Sequence, residues 1–138
     1  MSQDSSDDQT PFDLLGTEKV TDIAMAFYAA MARDEPELAQ LHECDEQGRV
    51  TEELQQKFAL FLVGWLGGPQ VYMQRHGHPR LRMRHRHVEI DKGMRDAWLR
   101  CMATAMDEVG VRGPLREFLD ERFYVMAHHL INKAPDSQ

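Results

Sequence analysis

Nothing in these 138 residues runs apolar for the ~20 positions that a membrane-spanning helix requires. The polar opening MSQDSSDDQT also lacks the basic-then-apolar layout of a signal peptide. Cysteine is scarce: Cys44 and Cys101 have no metal-motif spacing and make no disulfide framework. They read as a loop thiol and a small buried hydrophobe, which suits a reducing cytoplasm. Glycine-rich phosphate loops, G-x-S-x-G and H-E-x-x-H are all missing, which removes the common nucleotide, serine-hydrolase and zinc-protease signatures. The acidic pairs Glu52–Glu53 and Asp120–Glu121 fall on exposed helix faces, where solvation accounts for them. No segment alternates with β-branched enrichment, so strands are not expected. Basic residues are outnumbered by acids, 16 to 23, and a net charge of −7 argues against the broad basic face of a nucleic-acid binder.

What is present is helical. The length suits one domain that buries about two-thirds of its unfolded surface. From Thr17, the residues Val20, Ile23, Ala24, Phe27, Tyr28 and Met31 make an amphipathic stripe that Asp34 and Pro36 end. Leu38 and Leu41 sit in a short turn before the polar loop HECDEQGRV. Thr51 caps a helix bearing Leu54, Phe58, Phe61, Leu62 and Trp65, and Gly67–Gly68–Pro69 stops it. Residues 69–90 hold only short helical pieces, because Pro69, Gly77 and Pro79 interrupt them. Asp91 caps the next helix, Gly110 and Gly113 break it, and Pro114 opens the last. The expected organisation is an acidic disordered tail over 1–10, an all-α domain over 11–133 and a frayed end over 134–138. The irregular connection between the helices needs something to organise it, and a bound ligand would do so.

One stretch departs from the acidic background. RHGHPRLRMRHRH, residues 75–87, holds five arginines and four histidines. Zinc wants three or four ligands with carboxylate or thiolate help, and arginines repel it. A porphyrin iron needs only one imidazole from the chain, and guanidinium forks suit the two haem propionates. A solvated basic loop would equally explain the composition. Tyr28 and Trp98 each lie near an apolar helix face. Their O–H and N–H groups serve either backbone carbonyls in a core or a ligand cavity.

The run FLVGWLGGPQVYMQRHGHPRLRMRHRHVEI, followed by RDAWLRCM, resembles the group II truncated haemoglobins. The likeness covers about residues 12–132. It implies a shortened globin, a two-over-two helical sandwich around a b-type haem, with the proximal helix reduced to a loop and a turn. His85 then matches the proximal iron ligand. Arg84, Tyr72 and His78 match haem-edge or propionate contacts, and Phe58, Phe61, Leu81 and Met94 surround the cofactor. Tyr28 and Trp98 match the distal hydrogen-bond donors, with Leu54 on the distal helix. Phe27 and Leu62 are expected in the pocket wall. His42 is the matching residue after the crossover helix, with Leu41 as the competing choice. Three features depart from the family: a single glycine in LLGTEK, a longer loop before the distal helix, and the acidic tail.

The function so implied is binding of O2, CO or NO for storage, transport or sensing. The alternative is peroxidase-like or NO-detoxifying chemistry at the same iron, which needs an unidentified reductase or a reducing substrate. The implied state is a cytoplasmic monomer or homodimer, with neither membrane nor nucleic acid as a partner. A nucleic-acid site built on the 75–87 cluster ranks last.

Overall fold

Thr10 opens the first helix. Its hydroxyl accepts from the Asp13 N–H at 3.1 Å while the Asp13 carboxylate accepts from the Thr10 N–H at 3.0 Å, so two orphan donors are satisfied reciprocally. The computed structural model describes residues 9–86 and 88–132, without the side chains of Arg82 and Arg84. The tail before Gln9, His87 and the C-terminal segment from 133 lie outside the described residues, as does the Arg84 side chain. Thr10, grouped with the tail by composition, is thus the cap of the folded part.

Helix α1 runs Pro11–Asp34 and kinks at Gly16, whose φ of 85° only glycine adopts easily. The regular part begins at Thr17, where the stripe begins. Pro36 starts a single turn, α2 (Pro36–Ala39). The loop that follows is pinned by one isolated antiparallel bridge between Cys44 and Val50. Thr51 caps α3 (Glu52–Trp65), accepting from the Leu54 N–H at 3.2 Å. Two short helices, α4 (Val71–His76) and α5 (Leu81–Arg84), carry the interrupted segment. Asp91 caps α6 (Lys92–Val109), and a left-handed Gly110 turns the chain into α7 (Gly113–His129). No helix among the described residues is long and apolar enough to cross a membrane.

α1 lies across both α3 and α6, and α6 packs on α7. Phe27, Ile23, Met31, Leu62, Met102, Met106, Leu119 and Phe123 fill the interface. Cys101 is buried there, and burial raises its thiol to about 11, which keeps it protonated. The Gly67–Gly68 pair does more than end α3. A Cβ at Gly67 would stand 2.5 Å from Thr10 Cβ, and one at Gly68 would stand 2.7 Å from the Phe12 ring. The start of α1 therefore rests on bare backbone, and the Phe12 N–H donates to the Leu66 carbonyl at 3.0 Å. A Gly68→Ala variant is expected to lose about 1–3 kcal/mol through overpacking against Phe12, read as a lower thermal midpoint.

The irregular connection has an organiser in the chain itself. Asn132, just past α7, accepts from the Ile90 N–H at 2.7 Å. Its own amide donates to the Val88 carbonyl at 2.8 Å and the His85 carbonyl at 3.4 Å, and its backbone N–H donates to the Ile90 carbonyl at 3.0 Å. One side chain thus clasps the backbone at His85, Val88 and Ile90. Asn132→Ala is expected to cost about 1–2 kcal/mol, read as a lower thermal midpoint, because the segment bearing His85 loses its tether.

Candidate functional site

His85 follows the single turn of α5, and that turn sets its chemistry. Its Nδ1 lies 2.7 Å from the Leu81 carbonyl. A carbonyl only accepts, so Nδ1 carries the proton and Nε2 presents a bare lone pair. Nε2 is thereby left for a metal, with the ring orientation fixed by the backbone behind it. His85 lines two cavities of about 210 and 320 Å³ that meet at His42, Leu54, His85, Trp98, Met126 and Leu130.

Tyr28 lines the smaller cavity and is 94% buried, at 6% exposure. Its hydroxyl has no hydrogen-bond partner among the described residues, yet no buried polar atom there is left unsatisfied, so it opens to the cavity. Burial pushes its phenol well above the ordinary range, which keeps it a neutral donor. Phe27 and Phe58 hold the ring edge-on at 5.0 and 5.5 Å. Trp98 is wedged between Phe27 at 5.0 Å and Phe123 at 5.9 Å and borders both cavities. His42 meets Tyr28 edge to face at 5.7 Å. Leu41, by contrast, is 49% exposed and borders only the larger cavity.

Other expected contacts divide. Tyr72, Phe58, Phe61 and Leu81 line the smaller cavity, Leu54 lines both, and Met94 lines the larger. His78 lines neither: it stands on a neighbouring groove of about 750 Å³ with Arg80, Arg122 and His129. Phe27 and Leu62 are fully buried and line neither cavity, while their neighbours Tyr28 and Phe61 do. Sequence pattern missed Lys57, which lines the smaller cavity with no ion-pair partner among the described residues. Met126 and Leu130, on and just past α7, also line both cavities.

The donor set fits a haem. One fixed imidazole lone pair, apolar and aromatic walls, and an unpartnered buried hydroxyl meet what the cofactor needs: an axial ligand, a dry slot and a polar distal side. No three His, Cys, Asp or Glu side chains among the described residues converge on a metal site, and a porphyrin asks for none. The family model Bacterial-like globin matches residues 10–132. The group 2 truncated hemoglobin YjbI of Bacillus subtilis is 38% identical over 123 residues, 89% of each chain.

The chain belongs to the group II truncated haemoglobins.

Solved structures agree with this. The cold-adapted truncated hemoglobin of the Antarctic bacterium Pseudoalteromonas haloplanktis matches with a TM-score of 0.83 at 38% identity, covering 91% of this chain and all of that one, 100%. The truncated oxygen-avid haemoglobin of Bacillus subtilis matches at 0.80 and 38% identity, over 90% of this chain and 100% of its own. This truncated haemoglobin is accordingly a haem-binding two-over-two globin, with α1 and α3 forming one helix pair and α6 and α7 the other.

Proposed function

We propose that this globin holds a b-type haem through His85 and binds O2, with CO and NO as competing ligands, for storage, transport or sensing. The carrying observation is the pairing of a locked imidazole lone pair with two donors, Tyr28 O–H and Trp98 N–H, across one apolar cavity. The b type is what the likeness to the group II truncated haemoglobins implies. Ferrous haem supplies the coordination position at which a diatomic gas binds. The protein does the rest. His85 Nε2 would supply the protein's nitrogen ligand to the iron, and the Leu81 carbonyl keeps the proton on Nδ1. Tyr28 and Trp98 donate to the gas ligand. Phe58, Phe61, Leu54 and Leu81 exclude water. Tyr72 and Lys57, which line the smaller cavity, would serve the propionate edge, as would Arg84 by its match to the family motif.

That the Bacillus subtilis relative is oxygen-avid supports this reading. The test is a spectral titration of the reduced, haem-loaded protein with O2. A change that reverses on removing the gas is expected; immediate oxidation with no reversible phase would overturn the proposal. Lys57→Glu provides a separate check of the propionate edge. It should weaken haem retention by up to about fivefold, the value of one exposed ion pair near 1 kcal/mol.

A second reading, peroxide or NO chemistry, is favoured by one feature. His42 Nδ1 lies 3.0 Å from the Leu38 carbonyl, so its Nε2 is an acceptor that can take a proton from a peroxide O–H. Peroxide turnover with an added reducing substrate, well above that of free haemin, would establish it.

A further inference from the structure

We infer that His42 is a second iron ligand: without gas its Nε2 takes the coordination position opposite His85, and O2, CO or NO must displace it. The inference rests on the haem reading above.

Three observations carry it. First, the two histidines are built alike. Each has Nδ1 on the carbonyl four residues earlier, His85 on Leu81 at 2.7 Å and His42 on Leu38 at 3.0 Å. A carbonyl cannot donate, so in both rings the proton sits on Nδ1 and the lone pair on Nε2. The neutral His42 ring therefore has no N–H to offer a bound gas, and the usual stabilising role of a distal imidazole is closed to it. What it offers is a lone pair, which is what iron binds.

Second, both rings line both cavities, so they stand on one continuous space from opposite chain segments. An imidazole whose Nδ1 proton is held by a carbonyl and whose Nε2 lone pair is bare is the ligating form. Among the described residues no side-chain donor is hydrogen-bonded to the His42 ring, whose contacts are with backbone carbonyls.

Third, the mounting allows release. His42 sits after the one-turn α2, before the loop closed by the Cys44–Val50 bridge, whereas Tyr28 and Trp98 sit within long helices. A side chain on a short turn moves aside at a lower free-energy cost than one within a packed helix. Displacement exchanges one dative bond for another, iron–nitrogen for iron–gas, with no net electron or proton transfer.

The experiment is electron paramagnetic resonance and visible absorption of the haem-loaded full chain, ferric and then ferrous, for the native protein and for His42→Ala, Lys57→Ala and Tyr28→Phe. A low-spin ferric signal with two nitrogen ligands in the native protein, converted to high spin in His42→Ala, is expected. Flash-photolysis CO rebinding should then lose the slow phase limited by His42 release. If the competent form is a tenth or less of the native population, apparent CO affinity should rise roughly tenfold or more in His42→Ala. A high-spin native ferric signal overturns the inference while leaving the haem reading intact; Nε2 would then accept from Tyr28 instead. Loss of the low-spin signal in Lys57→Ala or Tyr28→Phe but not in His42→Ala also overturns it, by assigning the sixth ligand elsewhere. No haem spectrum at all would fail the haem reading itself, a separate outcome.

Discussion

His85→Gly should remove the native haem spectrum of this globin, and millimolar imidazole should restore it. The glycine deletes the one ring whose proton is fixed on Nδ1 by the Leu81 carbonyl and whose Nε2 faces the cavity. It leaves a gap of the shape of imidazole, which free imidazole can enter. Structural damage alone would not be repaired this way, so rescue separates ligation from folding. The backbone of residue 85 keeps two tethers, its N–H to the Leu81 carbonyl at 3.1 Å and its carbonyl to the Asn132 amide at 3.4 Å. The segment therefore holds its course in the variant. If the inference about His42 also holds, the unrescued variant should retain a weaker haem bound from the His42 side. That species would be absent in the His42→Ala, His85→Gly double variant. A native-like Soret band in His85→Gly without imidazole would overturn the proximal assignment.

Much of this architecture was legible because it is written locally. The caps at Thr51 and Asp91, the stop at Gly67–Gly68–Pro69 and the break at Gly110 each act within one turn. The stripe from Val20 to Met31 needs only its own periodicity. The positions of His85, Tyr28 and Trp98 came from the motif that carries the family likeness, and the cavity brings all three together. What was not legible depends on distant chain segments. Asn132 reaches 42 to 47 residues back to hold the proximal segment, and nothing in INKAPDSQ signals it. Lys57 sits beside Phe58 in a run that reads as a solvated helix edge. Only the placement of α3 over the cavity makes its position matter. Phe27 and Tyr28 are adjacent on one apolar stripe, so periodicity alone cannot say which faces a ligand. The packing of α1 on both α3 and α6 decides it: Phe27 enters the core and Tyr28 the cavity. His78 illustrates the reverse case. Its motif position suggested the cofactor edge, but Pro79 and the positive φ of 47° at Arg80 turn the chain so that Leu81 lines the cavity and His78 the outer groove.

O2 dissociation should quicken about ten- to a hundredfold when either distal donor is removed, by Tyr28→Phe or by Trp98→Phe. Each substitution deletes a single hydrogen bond to the ligand in a water-poor cavity, an effect of about 1–3 kcal/mol. The two replacements act on neighbouring rings. Phe27 lies 5.0 Å from both Tyr28 and Trp98, so the effects should not simply add. Tyr28→Phe is close to isosteric and leaves the contacts with Phe27 and Phe58 in place. Trp98→Phe shortens a side chain held between Phe27 and Phe123 and opens a cavity there, so it should also lower the thermal midpoint. A stability loss confined to Trp98→Phe, with faster O2 release in both, is the expected pattern. CO provides the internal control: it attracts hydrogen bonds weakly, so its dissociation should change far less than that of O2. Because burial keeps the Tyr28 phenol protonated, the Tyr28 contribution should also stay flat with pH through the alkaline range where the fold persists. Stopped-flow dissociation with CO replacement, run across that range on both single variants and the double variant, measures all of this. Unchanged O2 dissociation in both single variants would remove the two donors from the binding reading and leave the apolar walls and His42 as the determinants of gas affinity.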